Sequence, residues 1–234
     1  MGKYVIKFQI ANISWCEMPK TLEIDSVSIV ILGSFNPAIF HPIWFKANGL
    51  IKPEEADKAK LEITTPMISI FGVEWFRLQV ETQKFVIQTE NETHFELLSD
   101  LVMGTFSLLE HTPVVAMGLN RAMHFKMDSE ESWHAFGDKI APKDVWQGVL
   151  QEPGLLSLVI QGPKQKPNQK PENLINVRVE PSPRTIPGIY IDVNNHFEIK
   201  DNDLQKVLNI LKESWRDVLL NSRKIADQLM KEND

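Results

Sequence analysis

Val115-Ala116-Met117-Gly118-Leu119-Asn120-Arg121-Ala122-Met123-His124-Phe125 alternates as an extended strand does. Successive strand side chains point to opposite sides, so Met117, Leu119, Arg121, Met123 and Phe125 form one face, and Ala116, Gly118, Asn120, Ala122 and His124 the other. Arg121 therefore interrupts an apolar row. A charge placed there needs a partner. Asp192, in Tyr190-Ile191-Asp192-Val193-Asn194, is the expected one and gives a structural Arg121–Asp192 ion pair. An anion site at Arg121 is the alternative.

The same alternation extends outward in both directions. Upstream, Tyr4 to Ile10 and the apolar run Val27 to Leu32, closed by Gly33, read as strands. Met67 to Glu81 carries two alternating stretches whose phase slips at Trp75-Phe76, which implies a bulge or a strand buried on both faces. Thr82-Gln83-Lys84 and Phe85-Val86-Ile87 complete a hairpin. A helix follows, with Thr93 and Glu96 at capping-box spacing and Phe95, Leu98, Val102, Phe106 and Leu109 as its apolar stripe, before Pro113 stops it. Downstream come a helical patch from Ser129 to Ile140 and a short helix from Asp144 to Leu150. Three strands follow: Leu155 to Ile160, Leu174 to Val179 and Ile189 to Ile199. The longest helix, about Leu204 to Met230, closes the chain behind Asp201 or Asp203, with balanced charges on its polar face.

Strands in succession without intervening helices favour an α+β class over a doubly wound parallel sheet. Two β-rich halves of mainly antiparallel strands, residues 1–112 and 113–234, each end in a long amphipathic helix, a pseudo-repeat that also fits one continuous domain. The stretch 162–171 has three lysines, no acid and no apolar residue beyond its prolines, and reads as a solvated hairpin loop or a basic finger.

Composition narrows the function classes. With 234 residues, 43% hydrophobic and 24% charged, the chain builds a packed core without help from metal or disulfide. Cys16 is alone, which removes any intrachain disulfide or CxxC pair and suits a reducing compartment. A net charge of −6 has the wrong sign for broad phosphate neutralisation, so nucleic acid is disfavoured. No apolar run reaches membrane-spanning length, and the first residues read as a strand, so a cytoplasmic location is expected.

Gly33-Ser34-Phe35-Asn36-Pro37, followed by His41, resembles the strand-to-loop entry of nucleotidylyltransferases of the nicotinamide-mononucleotide adenylyltransferase type. Those enzymes continue from paired histidine-type residues into a helix, whereas Pro42 beside His41 is expected to obstruct one here. The six histidines show no zinc-ligand spacing, and GxSxG, Walker and GxGxxG motifs are missing, so no catalytic, cofactor or metal residue is assigned. Phe35, Phe40, Trp44 and Phe45 either fill a core or, together with Trp215, anchor a partner.

Gly118-Leu119-Asn120-Arg121, the strand Ile189 to Asn194 and the long closing helix together resemble a sporadically distributed, uncharacterised bacterial protein family of about this length. Members tend to show Gly-Leu-Arg-Tyr and Asp-x-Asp where this chain has Gly118-Leu119-Asn120-Arg121 and Asp192-Val193-Asn194. The resemblance implies a patchily inherited accessory protein near mobile or defence genes, with no catalytic residues to carry over. The expected function is thus a non-enzymatic interaction protein or accessory subunit, docking another protein or its own copy. A small-molecule or lipid-like binder with a sheet–helix cavity is the first alternative, and the nucleotidylyltransferase-like enzyme the second.

Overall fold

The computed structural model describes residues 21–163 and 173–231. The expected strand Tyr4 to Ile10 and the 162–171 stretch beyond Pro163 lie outside the described residues. In chain order the strands are β1 (Thr21–Gly33), β2 (Lys60–Thr64), β3 (Ile68–Gly72), β4 (Arg77–Glu81), β5 (Lys84–Thr89), β6 (Val114–Lys126), β7 (Leu158–Gly162), β8 (Asn173–Pro181) and β9 (Gly188–Glu198). The helices are α1 (Pro42–Ala47), α2 (Pro53–Asp57), α3 (Phe95–Leu108), α4 (Glu130–Ile140) and α5 (Leu204–Met230). All nine strands of the described residues join one sheet in the order β2-β3-β4-β5-β1-β6-β9-β8-β7, and every neighbouring pair is antiparallel. The α+β class is thereby established. β1 and β6 pair along nearly their whole length, from Thr21↔Lys126 to Gly33↔Val114, and so weld the two halves of the sheet at its centre.

Helices cover one face of this sheet. α3 packs on β5, α5 packs on β6 and β9, and the two helices touch each other. Beneath them Val27, Ile29 and Ile31 of β1, Met117 and Leu119 of β6, Phe85 and Ile87 of β5, and Leu98, Val102 and Phe106 of α3 form the larger core. A second core gathers Met123, Phe125, Ile191 and Val193 of the sheet against Phe136 of α4 and Ala226 and Met230 of α5. α5 serves both cores because its apolar stripe runs the length of the helix, from Leu204 to Met230.

Four local expectations are corrected. Trp75 and Phe76 belong to the connection between β3 and β4, closed by Val73 N–H on Phe76 O at 2.9 Å, and both side chains are buried. The turn carries core anchors, so the apolar signal runs through it and mimics a slip within one strand. Pro42 starts α1 instead of obstructing it: at the first helical position its missing N–H costs nothing, and His41 caps the helix with Nδ1 accepting from Ile43 N–H at 3.3 Å. Thr93 is not the cap of α3. Its hydroxyl donates to Asn91 Oδ1 at 2.7 Å, and Asn91 instead caps a short 3-10 turn, Glu92–His94, that leads into the helix. Asp144 to Leu150 likewise shrinks to a 3-10 turn, Asp144–Trp146.

Candidate binding site on the sheet face opposite the helices

The face opposite the helices is polar at the centre of the sheet. Its backbone register lines up Gln88 of β5, Ser28 of β1, Asn120 of β6, Asn194 of β9, Asn176 of β8 and Gln161 of β7 on a single rung. Five strand spacings of about 4.8 Å make this row of amides and one hydroxyl roughly 24 Å long. Asn120 Nδ2 donates to Ser28 Oγ at 3.0 Å, and Gln161 Nε2 donates to Asn176 Oδ1 at 2.8 Å. Among the described residues, Asn120 Oδ1 and Asn194 Oδ1 are buried without a partner. Gly118 adjoins them: a Cβ there would stand 3.5 Å from Asn120 Oδ1 and 3.7 Å from Asn194 Nδ2, so the missing side chain leaves a notch beside both carboxamides.

A second rung carries the charges. Asp192 pairs in register with Ala122 and with Arg178, whose Nη2 reaches Asp192 Oδ2 at 3.2 Å. Burial pushes the Asp192 carboxyl up from its ordinary value, against the pull of Arg178. Burial, and then the neighbouring Asp192, raise the Tyr190 phenol as well. The Arg178 guanidinium lies 5.6 Å from the Tyr190 ring centre, and the His124 ring lies 4.8 Å from it on the neighbouring strand.

His124 Nδ1 is 2.8 Å from Ser182 Oγ. Ser182 Oγ already accepts from the backbone N–H of Arg184 and of Thr185, so its O–H is left to donate to Nδ1, which places the imidazole proton on Nε2. Burial lowers the His124 pKa, the Arg184 cation lowers it further, and Glu90 opposes both. Arg184 in turn grips Glu90 with a fork at 2.6 and 3.1 Å, and that bond holds the Glu90 carboxyl below its usual range. These groups apart from Ser182, with the middle of the amide row, line a cleft of about 370 Å³.

The cleft offers hydrogen-bond acceptors. Ser182 Oγ spends its lone pairs on two backbone donors, which ties it into the turn and leaves it poorly disposed to attack a substrate. Both arginines of the cleft already hold carboxylates, so the unspent capacity is that of carboxamide oxygens, which accept hydrogen bonds from neutral or weakly polar groups.

The residues singled out in the sequence stand elsewhere. Phe35, Phe40, Phe45 and Trp215 are buried and Trp44 is half-buried. Phe35 meets Phe40, Phe85 and Phe106 at 6.2–6.4 Å between ring centres. Phe35, Phe40 and Phe45 fill the core under α3, while Trp44 stays half-buried. The Arg121–Asp192 pair does not form, because the two residues lie on opposite faces of the sheet. Arg121 is in register with Val193, on the helix side, and pairs with Asp25 at 2.6 Å. The Gly33–Pro37 turn has Gly33 pressed on Pro113 O and Asn36 Oδ1 capping a 3-10 turn, within an antiparallel sheet, so it does not open the phosphate cradle of a nucleotidylyltransferase. Under α5, where the ligand-binder alternative places a cavity, Val207, Leu211, Trp215 and Leu219 fill the layer against the sheet. The amide row escaped notice because it exists only in the cross-strand register. Its trace in the sequence is that Ser28, Asn120, Asn176 and Asn194 each fall on the polar parity of an alternating strand.

Neither a family model nor a curated protein matches the chain. Among the described residues no helix is long and apolar enough to cross a membrane, and no group of three His, Cys, Asp or Glu is placed to hold a metal ion.

Proposed function

We propose that the chain is a non-enzymatic interaction protein, an accessory subunit of a bacterial cytoplasmic complex, and that its partner is a protein segment seated across the sheet face opposite the helices. The observation that carries this reading is the in-register amide row with two unpaired carboxamide oxygens at its centre. Burying a polar atom unpaired costs about 1–3 kcal/mol, a cost that a partner's N–H or O–H donors remove. The Asn χ2 torsion is soft, so a small turn of either carboxamide brings its oxygen to such a donor. A row about 24 Å long and one side chain deep suits a stretch of polypeptide better than a compact ligand, which favours a pocket that buries most of its surface.

The mirrored strand order about β1 and β6 supports the finer architectural reading as well. On each side a central strand leads through short helices into outer strands and ends in a helix, α3 or α5, on the same face of the sheet. We read this as a pseudo-repeat that places the amide row across the seam between the halves.

Affinity purification at native expression level, followed by native mass spectrometry, tests the function with wild type and Asn194→Val side by side. A stoichiometric partner retained by wild type and lost by a variant of unchanged melting temperature is the expected result. A partner retained equally by both, or wild type recovered alone, overturns the proposal.

A further inference from the structure

Among the described residues, the two edges of the sheet are built differently. β2, at one edge, carries Lys60 and Glu62, has a register shift against β3 between Leu61 and Ile63, and has Glu62 locked to Arg77 by two bonds of 2.9 Å. Charges and bulges of this kind keep an open edge from pairing with another chain. β7, at the other edge, has none of them. Its sequence is Leu158-Val159-Ile160-Gln161-Gly162, and it pairs with β8 without a register shift. Val159 and Ile160 are 59% and 58% exposed, and Leu156 just before them is 84% exposed. From Val145 to Pro163 the only charged residue is Glu152, although the chain as a whole carries −6.

We infer that β7 is the interface of a homodimer, in which the β7 edges of two copies pair antiparallel about a two-fold axis and join two nine-stranded sheets into one. A second copy is the occupant the chemistry favours. The edge offers no charge for a charged partner to read, and an uncharged strand meets its own copy without the self-repulsion that the rest of this acidic protein imposes. Antiparallel pairing is also the geometry that a two-fold axis generates, and it continues the antiparallel order of β8 and β7. With the axis perpendicular to the sheet, the amide rows of both copies face the same side.

Size-exclusion chromatography with light scattering on the full chain reads the mass directly. Wild type is expected to run as a dimer, Val159→Lys and Ile160→Lys as folded monomers, and Ile63→Lys on the opposite edge as a dimer still. Amide hydrogen exchange across 158–162 gives a readout without substitution, with protection that rises with protein concentration. A wild-type monomer, a dimer indifferent to both β7 lysines, or β7 amides protected equally at every concentration overturns the inference.

Discussion

Arg121 and Asp25 face each other diagonally across β6 and β1, with Nη2 on Oδ2 at 2.6 Å and Nε on Oδ1 at 3.0 Å. The remaining arm of the guanidinium, Nη1, donates to Leu219 O of α5 at 2.9 Å, and the group lies 5.6 Å from the ring centre of Phe95, the first residue of α3. One side chain thus fastens both long helices to the centre of the sheet. The Arg121 and Asp25 side chains are only 7% and 11% exposed, so neither charge tolerates the loss of the other.

Arg121→Met is expected to destabilise by about 3–5 kcal/mol, the cost of stranding a buried charge. Arg223 Nη1, 3.9 Å from Asp25 Oδ2, holds the loss toward the lower end. Adding Asp25→Leu to Arg121→Met is expected to restore much of the loss. Urea unfolding of the two variants checks this, and a single variant as stable as wild type would sink the buried-pair account.

Glycines 188 and 118 should respond in opposite ways to alanine. At Gly188 a Cβ would stand 2.4 Å from Thr185 O and 2.9 Å from Phe125 O, both fixed backbone atoms, so Gly188→Ala is expected to cost about 1–3 kcal/mol. At Gly118 the nearest atom is 3.5 Å away, and the same change is expected to stay within about 1 kcal/mol. Thermal melts of the pair decide it; equal losses would mean that the notch beside the amides is not open.

His124 predicts an acid limb in the stability curve. Its folded pKa lies below the unfolded value of about 6.5, so the unfolded chain takes the proton first and stability falls as pH drops from about 6.5 toward the lowered folded value. Asp192 carries the opposite sign, gaining stability as pH falls through its raised value, in the more acidic carboxylate range. His124→Asn keeps an acceptor where Nδ1 stood, for the Ser182 hydroxyl, and removes the titration. Its stability between pH of about 7 and 5 is expected to be flatter than that of wild type; an unchanged slope would show that His124 is not its source.

Asn194→Val is expected to hold or raise the melting temperature, since it replaces an unpaired buried oxygen by a β-branched side chain suited to a strand. A drop worth more than about 1 kcal/mol would show that the carboxamide supports the fold.

Much of the sheet was legible because alternation and β-branching state strand parity directly, as in Met117 to Phe125 and Ile189 to Phe197. Parity also held an unused clue: Arg121 shares its row with Met117 and Leu119, whereas Asp192 alternates away from the apolar Ile191 and Val193. Asp25, in the less apolar lead-in of β1, became a partner only through the β1–β6 register, which no local pattern carries. Aromatic content misled for a related reason. Phe40 and Phe45 have the same composition in a core as at an interface, and only the packing of Phe85 and Phe106 against Phe35 separates the two.

The central position of β1 has a price during synthesis. Its two neighbours, β5 and β6, are made long after it, with the whole aromatic segment and three other strands in between. At about 5–20 residues per second, the run from Val27-Ser28-Ile29-Val30-Ile31 to its partners takes on the order of seconds to emerge. Over that interval the most apolar strand of the first half is open on both edges, so the nascent chain, more than the finished protein, is the form that a holding chaperone has reason to recognise.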